Sequence, residues 1–295
     1  MTHEIQVTGS GFSCESNSFV FPGGEVQLEF PKLPKQIQHD VLVTARVQSS
    51  DDLMRLGLAT EVVRRLQTVG TRSLFIPYLP YARQDRVMDP RQAFSLKPFA
   101  SLINSLGYAE VITCDLHSPV SAALIEGVVE IGQAQMIERF STLRDWIIAN
   151  KPVLVSPDAG ASKKTLEIAR RLAEKWDCPL TFLQATKVRN VATGEITETR
   201  VEGDMAPGEW TALIIDDICD GGRTFVELAK ALRRKGASSV MLYVTHGIFS
   251  KGAEVFAGLI DGVFTTDSFR SPYLVEPHAL PTVTLRINPQ LGDLA

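Results

Sequence analysis

The segment richest in potential chemistry is "LIIDDICDGGRTF", from Leu213 to Phe225. Its apolar run is followed by the adjacent acids Asp216 and Asp217, then by a third acid, two glycines, an arginine and a threonine. In open α/β sheets, ligands bind beyond the carboxyl ends of strands. Glycines at a helix start let a phosphate approach the backbone N–H groups, and carboxylates hold sugar hydroxyls or metal-bound water. The pattern therefore indicates a phosphorylated sugar as ligand, although Asp220 could instead serve as a helix cap.

A second polar group is "PYLPYARQDR", from Pro77 to Arg86, which also follows an apolar run. It offers Arg83, Gln84 and Asp85 together with a second arginine. Arginine forks suit a polyphosphate, and an acid between two arginines orients a guanidinium. The same residues also suit an ordinary solvated turn with a surface salt bridge, and the sequence leaves both interpretations open.

Two further strand-like runs end in polar residues. In "VITCDLHS", Asp115 and His117 share one face of an extended segment and suit a magnesium-linked water or a phosphate. In "VLVSPDAGASKKT", Asp158 follows a strand and precedes a glycine. Asp158 could equally belong to a helix entry capped by Asp or Ser.

The fifth group is the cationic pair in "QATKVRN". Lys187 and Arg189 alternate along a strand-like segment and so share a face. Such a pair could close over a transferring phosphoryl group, although Lys and Arg on a polar loop are usually solvated. The polar segment 187–207 predicts a β-hairpin or a flap.

Alternating strand and helix patterns must position these groups. Continuous apolar runs predict strands at Val41–Val47, Ser73–Pro77, Glu110–Cys114, Pro152–Val155, Leu180–Leu183, Thr211–Ile215, Ser239–Thr245 and Gly262–Thr265. Helical spacing predicts helices at Asp51–Thr68, Leu96–Leu106, Ala161–Lys175, Arg223–Lys235 and Lys251–Leu259. The expected fold is α/β, with two doubly wound domains at 1–149 and 150–295, mostly parallel sheets, and one phosphate-handling site between them.

Composition restricts the class of protein. The 295 residues are 44% hydrophobic and 22% charged with a net charge of -4, which argues against a protein that coats nucleic acid. No apolar run is long enough for a membrane span, the four cysteines form no CxxC pair, and "MTHEIQVTGS" has no signal-peptide pattern. We therefore expect a cytoplasmic protein. GxxxxGK[ST], GxSxG and HExxH are all absent from the sequence.

The ordered set "FPGGE", "YARQDR", "DLH", "SPDAG", "TKVR", "DDICDGG" and "THGIFS" resembles the ribose-phosphate pyrophosphokinase family, a member of the phosphoribosyltransferase-like group. The resemblance extends from about Phe21 to Thr266. It implies Mg²⁺-dependent transfer of the β,γ-diphosphoryl group of ATP to the C1 hydroxyl of ribose 5-phosphate, with release of AMP. It also implies a homo-oligomer, either a dimer or a hexamer.

The resemblance implies a role for each matching residue. Phe21 and Glu25 would contact adenine from a neighbouring subunit. The remaining ATP contacts would be Arg83, Gln84, Asp85 and His117, and the magnesium contacts would be His117 and Asp158. Asp216 and Asp217 would bind the ribose hydroxyls, Lys187 and Arg189 would close on the transferred group, and the 5-phosphate would lie on Asp220, Gly221, Gly222, Arg223 and Thr224.

Three positions depart from the family pattern. Gly23 stands where the family usually has an acid, while Gly221 and Arg223 replace a threonine and a glycine. Ribose 5-phosphate remains the first expectation for the acceptor. A wider, more cationic loop would also suit a larger 5-substituted ribose such as ADP-ribose. Two different functions also stay open: a non-catalytic regulatory family member, and a phosphoribosyltransferase, which "YARQDR" and "DLHS" disfavour.

Overall fold

The chain folds into two compact units, divided between Gly132 and Gln133. The computed structural model describes residues 5–189, 196–203, 205, 209–271 and 280–287, without the side chains of 187–189 and 196–198. The second unit thus begins earlier than the predicted boundary between residues 149 and 150. The reason is that Ile137, Leu143 and Ile147 are buried in the same apolar cluster as Leu213 of the second sheet.

The first unit is built on a six-stranded sheet. The strands of the whole unit are β1 Ile5–Gly9, β2 Phe12–Glu15, β3 Asn17–Val20, β4 Val26–Glu29, β5 Ile37–Gln38, β6 Val41–Ala45, β7 Gln67–Val69, β8 Arg72–Phe75, β9 Glu110–Cys114 and β10 Val128–Ile131, and the helices are α1 Ser50–Leu66, α2 Leu96–Ser105 and α3 Pro119–Leu124. The strand order in the six-stranded sheet is β10-β9-β8-β6-β1-β2, in which β6, β8, β9 and β10 are parallel and β1 and β2 are antiparallel additions at one edge.

Helix α1 shows how local sequence and packing agree in this unit. Ser49 caps its first turn by accepting a hydrogen bond from the N–H of Asp52 at 3.2 Å. Leu56, Ala59 and Val63 recur at helical spacing and are buried against the sheet. The apolar face of α1 therefore fixes one side of the sheet whose strand ends carry the polar loops.

The second unit contains a seven-stranded sheet. Its strands are β11 Val153–Ser156, β12 Phe182–Arg189, β13 Ile196–Val201, β14 Trp210–Cys219, β15 Ala237–Gly247, β16 Gly262–Thr266 and β17 Thr282–Leu285, and the helices of the unit are α4 Gln133–Arg139, α5 Ser141–Asn150, α6 Ala159–Trp176 and α7 Arg223–Arg234. The strand order is β13-β12-β11-β14-β15-β16-β17, and all neighbours are parallel except β12 and β13, which form an antiparallel hairpin at one edge.

Both faces of this second sheet are covered. Ile214 and Val244 belong to one apolar cluster, whereas Leu213, Ile215 and Tyr243 belong to another on the opposite face. Alternate residues of a strand point to opposite faces, so a strand covered on both sides reads as a continuous apolar run. The structure confirms the α/β fold with mostly parallel sheets.

Several predicted elements have other bounds in the structure; the predicted strand Leu180–Leu183, for example, is replaced by β12 at Phe182–Arg189. The predicted helix at Lys251–Leu259 is wrong, because only Glu254–Phe256 forms a short 3₁₀ turn. Gly252 and Gly258 adopt positive φ angles of 69° and 71°, which interrupt a right-handed helix. The predicted strand at Thr211–Ile215 is longer than expected and continues as β14 to Cys219. The acid pair therefore lies inside the strand and not beyond its end.

The remaining expectations concern the flap, the cysteines and the membrane. Segment 187–207 contains the outer part of the β12–β13 hairpin, and the structure confirms that pairing. All four cysteines are buried and unpaired with one another. Among the described residues, no helix is long and apolar enough to cross a membrane.

Candidate active site

The polar loop after β8 in the first unit is ordered around a buried carboxylate. Asp85 is only 8% exposed, and Arg86 donates its Nε–H to Asp85 Oδ1 at 3.0 Å. The Gln84 N–H closes the loop by donating to the carbonyl of Tyr81 at 2.9 Å. Tyr81 itself has a positive φ of 62°, a conformation that a non-glycine residue adopts only under constraint from its surroundings.

The loop after β9 lies beside this carboxylate. Burial raises the pKa of Asp85, but the bond from Arg86, the nearby Ser118 hydroxyl and the charges of Arg86 and His117 outweigh burial, so the net pKa lies below the ordinary value. The structure therefore brings the "YARQDR" and "DLHS" segments together, as the shared strand edge predicts. The predicted shared face of Asp115 and His117 is wrong: Asp115 has a φ of 46°, which is not extended backbone, and it is fully buried whereas His117 is exposed.

A cavity of about 520 Å³ opens at the first of these two loops. This volume is within the roughly 300–1,000 Å³ range of small-molecule sites. Arg83 and Gln84 line it with exposed side chains, and Asp85 lies at its wall. The complete lining consists of Arg83, Gln84, Asp85, Arg86, Met88, Gln92, Ala93 and Ser95.

Phe21 and Glu25 form the turn of the separate β3–β4 hairpin. The Phe21 N–H donates to the carbonyl of Glu25 at 2.8 Å, and the Gly24 N–H returns a bond to the carbonyl of Phe21 at 2.8 Å. The Phe21 ring is 48% exposed and meets Phe19 edge-on at 5.0 Å. Neither predicted residue is among those that line the cavity described above.

In the second unit, the acid pair occupies a part of β14 that extends past its neighbour β11. Pairing between the two strands ends at Val155 and Ile214, whereas β14 remains paired with β15 as far as Cys219. Side chains bond to the extended part: Asp216 Oδ1 accepts from the Asp217 N–H at 3.0 Å, and Asp217 Oδ1 accepts from the Ile218 N–H at 2.9 Å.

Acidic side chains are concentrated at this strand end. Burial raises the pKa of Asp216 well above its ordinary value, and the carboxylates of Asp217 and Asp158 raise it further. Asp158 caps α6, where its Oδ1 accepts from the Ala161 N–H at 3.1 Å. The structure thus brings Asp158 near the acid pair, and it also confirms the helix cap that the sequence leaves open.

The loop from Asp220 to Thr224 connects β14 to α7. Asp220 does not cap the helix, because its Oδ1 accepts from the Ser250 hydroxyl at 2.5 Å and the cap position belongs to Gly222. Gly222 has a positive φ of 76°, which favours glycine. Within the described part of the chain, the N–H groups of Gly221, Arg223 and Thr224 donate to no other protein group. They are oriented as a helix start that suits an anion.

Two of the departures from the family pattern lie in this loop. The Arg223 side chain is exposed at the first position of α7 and has no hydrogen bond or ion pair with any described residue. A cation at a helix N-terminus is electrostatically unfavourable unless an anion lies near it. A Cβ at Gly221 would meet only ordinary contacts, the nearest at 3.6 Å from Lys251 Cγ. The loop therefore has space beside Gly221 and an available guanidinium.

Lys187 and Arg189 lie in β12 of the edge hairpin, but their side chains are outside the described residues. Sequence reasoning misses Gln133, whose buried side chain donates to the carbonyl of Asp216 at 2.6 Å. It also misses Ser250 as the partner of Asp220. Both contacts join residues that are far apart in the sequence, so no local motif indicates them.

Comparison with known proteins identifies the family. Residues 12–107 match the N-terminal domain of ribose phosphate pyrophosphokinase, and residues 133–259 match the phosphoribosyl transferase domain. The ribose-phosphate pyrophosphokinase of Hyphomonas neptunium is 31% identical over 86% of this chain and 78% of its own length. The chain belongs to the ribose-phosphate pyrophosphokinase family. The corresponding protein of Agrobacterium fabrum is 34% identical over 75% of this chain and 69% of its own length.

A solved member of the ribose-phosphate pyrophosphokinase family shows the same fold. The phosphoribosylpyrophosphate synthetase of Mycobacterium smegmatis superposes with a TM-score of 0.73 over 92% of this chain and 85% of its own, at 22% identity. The match to the phosphoribosyl transferase domain begins at residue 133, where the second compact unit also begins. Family membership and structure therefore agree on the start of the second unit.

Proposed function

We propose that this member of the family transfers a diphosphoryl group from ATP to ribose 5-phosphate. The C1 hydroxyl oxygen would form a bond to the β-phosphorus of ATP, the bond from that phosphorus to the α,β-bridging oxygen would break, and AMP would leave. The hydroxyl proton would pass to solvent. The main support is the full pair of family domains in one chain, together with the polar loops that each unit carries at its strand ends.

Each unit would bind one reactant. In the first unit, Arg83 and Gln84 would hold the ATP phosphates, and Asp85 would orient Arg86 and His117 around them. Phe21 and Glu25 would contact the adenine from a neighbouring subunit of a homo-oligomer. Because charge stabilisation and alignment dominate phosphoryl transfer, these cationic contacts would act mainly on the charge of the departing AMP.

The second unit would bind the acceptor. Asp216 and Asp217 would accept hydrogen bonds from the ribose hydroxyls, and the N–H groups of Gly221, Arg223 and Thr224 would bind the 5-phosphate. Asp220, with its carboxylate bonded to Ser250, and the left-handed Gly222 would set the shape of that loop. Lys187 and Arg189 would close on the transferred group.

Magnesium would neutralise the triphosphate and fix its geometry when bound. Its fit depends on donor chemistry, because Mg²⁺ prefers oxygen ligands over imidazole nitrogen. Asp158 supplies a carboxylate whose charge already raises the pKa of Asp216, so a divalent cation suits this place. By the family resemblance, His117 would be a further contact of the ion. In the described residues, no cluster of three or more His, Cys, Asp or Glu forms a metal site by itself.

The direct test is an assay of the purified protein with ATP, Mg²⁺ and ribose 5-phosphate. We expect AMP and phosphoribosyl diphosphate in equal amounts, measured by chromatography and by product mass. AMP formation that does not depend on the sugar phosphate would contradict the proposal. No AMP with any acceptor would favour the non-catalytic regulatory role.

The loop supports a second candidate acceptor, a larger 5-substituted ribose such as ADP-ribose. The observation behind it is the exposed Arg223, which has no described partner, beside the space at Gly221. A diphosphate carries more charge and volume than a monoester, so it would use both features. Arg223→Ala should then reduce kcat/KM for ADP-ribose more than for ribose 5-phosphate, with Arg234→Ala, at the far end of α7, as control. Equal losses with both acceptors would exclude this candidate.

A further inference from the structure

The side chain of Gln133 bonds to the backbone of the acid pair from a distant part of the chain. Gln133 is the first residue of α4 and is 3% exposed. Its Nε2 donates to the carbonyl of Asp216 at 2.6 Å and to Thr245 Oγ1 at 3.4 Å. One buried amide therefore joins α4 to the ends of the adjacent strands β14 and β15.

The second bond of the amide belongs to a buried polar chain. Thr245 Oγ1 lies 3.2 Å from the hydroxyl of Tyr243, and both residues are fully buried in β15. Buried polar groups that are fully bonded hold one fixed arrangement, because losing a partner in a low-dielectric interior is unfavourable. The bond to Thr245 thereby helps to orient the Gln133 amide, whose Nε2 also donates to the carbonyl of Asp216.

The location of the bond gives it a functional meaning. The N–H groups of Asp217 and Ile218 donate to Asp216 Oδ1 and Asp217 Oδ1, which are oxygens of the same carboxylates that would accept the ribose hydroxyls. A ligand that engages these carboxylates competes with the local bonds. The bond from Gln133 uses the carbonyl oxygen of Asp216, so it occupies neither carboxylate. A ligand that replaces the carboxylate bonds therefore does not need to replace this one.

We infer that Gln133 is a positioning residue that holds the Asp216–Asp217 backbone in the geometry required for the ribose hydroxyls of the acceptor. This inference rests on the proposed function for the identity of the ligand. It does not place Gln133 in contact with the substrate. Its effect should fall on acceptor binding, whereas ATP binding should be unaffected because the proposed ATP contacts are in the first unit.

The test replaces Gln133 by methionine, which keeps the length of the side chain and removes both donors. The matched control is Gln135→Met, the same change at an exposed position of the same helix. We expect Gln133→Met to raise the KM for ribose 5-phosphate about tenfold, the factor that corresponds to one lost hydrogen bond. The KM for ATP and all parameters of the control should stay within about twofold of the wild type.

Hydrogen exchange supplies a readout that needs no turnover. Peptides that cover residues 216–218 should exchange about tenfold faster in Gln133→Met than in the wild type or the control, because the backbone there loses this anchor from α4. An unchanged exchange rate together with an unchanged KM for ribose 5-phosphate overturns the inference. Equal increases in the KM for both substrates also overturn it, since they indicate general loosening of the fold.

The two proposals fail in different ways. A wild-type protein that makes no phosphoribosyl diphosphate refutes the proposed function, but the exchange measurement still decides whether Gln133 anchors this backbone. If Gln133→Met does not fold, Thr245→Val takes its place, because it removes the second contact of the amide. That variant should show the same selective rise in the KM for ribose 5-phosphate, at about threefold. No rise in a folded Thr245→Val overturns the inference.

Discussion

Gly222 and Gly221 are adjacent in the proposed phosphate loop, and the structure predicts opposite effects when each is replaced by alanine. Gly222 has a φ of 76°, and a Cβ there would come within 2.8 Å of Phe256 Cζ and 3.1 Å of Val255 Cγ2. At Gly221 the φ is not positive, and the nearest atom to an added Cβ is 3.6 Å away. Comparing the two variants therefore distinguishes the backbone conformation required at Gly222 from any general effect of a substitution in this loop.

The magnitude follows from two contributions at Gly222. A left-handed conformation costs an alanine about 1–2 kcal/mol, and forcing a methyl against a packed aromatic ring costs about 1–3 kcal/mol. Because Phe256 is fully buried and the ring cannot move freely, we expect the free energy of unfolding to fall by about 2–5 kcal/mol in Gly222→Ala. Gly221→Ala should change it by less than about 1 kcal/mol, with a small gain from the lower entropy of the unfolded chain.

The assay can report on the second unit alone. All three tryptophans, Trp146, Trp176 and Trp210, lie in that unit, so their fluorescence follows its unfolding in urea. For a unit of this size, the expected loss corresponds to a fall in Tm of about 4–20 °C. Gly222→Ala should also raise the KM for ribose 5-phosphate, since the loop cannot keep its left-handed turn. Equal unfolding free energies for the two variants, within about 0.5 kcal/mol, would refute the reasoning.

Two ion pairs and the open position at Gly221 give three further expected outcomes. Asp85→Asn removes the charge that orients Arg86 and should raise the KM for ATP about tenfold in initial-rate assays. Asp89→Asn, at a half-buried carboxylate with its own arginine partner, should leave that KM unchanged, and equal KM values for the two variants would contradict this role of Asp85. Glu138→Gln should lower the unfolding free energy at pH 7 by about 1 kcal/mol, because two cations hold the pKa of Glu138 below its ordinary value against the opposing effect of burial. A lowered native pKa stabilises the protein above the unfolded pKa, and this stabilisation is lost as the pH falls. Urea titrations should therefore show the unfolding free energies of the wild type and Glu138→Gln converging in acid, and a constant difference between them would contradict the prediction. Gly221→Thr should lower the KM for ribose 5-phosphate severalfold, because the space at Gly221 accepts a hydroxyl near the loop N–H groups; a higher KM would show that the space is occupied in the complex.

Much of the fold is predictable because buried parallel strands have a distinctive composition. The strand Glu110–Cys114 has the bounds that its apolar run predicts, and α7 starts at Arg223, directly after the two glycines that signal it. In both places the local sequence and the tertiary structure favour the same conformation. The polar residues near the carboxyl ends of the parallel strands are then predictable from one general rule, that ligands bind at that edge of a parallel sheet.

Other elements cannot be predicted because their stability comes from distant partners. Strands β1 and β2 are five and four residues long, and their place in the sheet depends on the pairing of β1 with β6 and of β2 with β1. Helix α5 begins without a side-chain cap and ends at Lys151 in a left-handed conformation, a position where glycine is the usual signal. Tertiary packing therefore determines these elements, and a single sequence does not display it.

Unequal strand length explains why acids, and not apolar residues, occupy the end of β14. Up to Ile214 the strand has neighbours on both sides, and its side chains are apolar on both faces. Past that point the pairing with β11 stops. The β14 backbone there donates N–H groups to the Asp216 and Asp217 carboxylates and accepts a bond from Gln133 at the carbonyl of Asp216. The ending of one strand therefore creates both the need for polar side chains and the space that a ligand would fill. Lengthening β11 by even two paired residues would satisfy this backbone and at the same time close the proposed acceptor site.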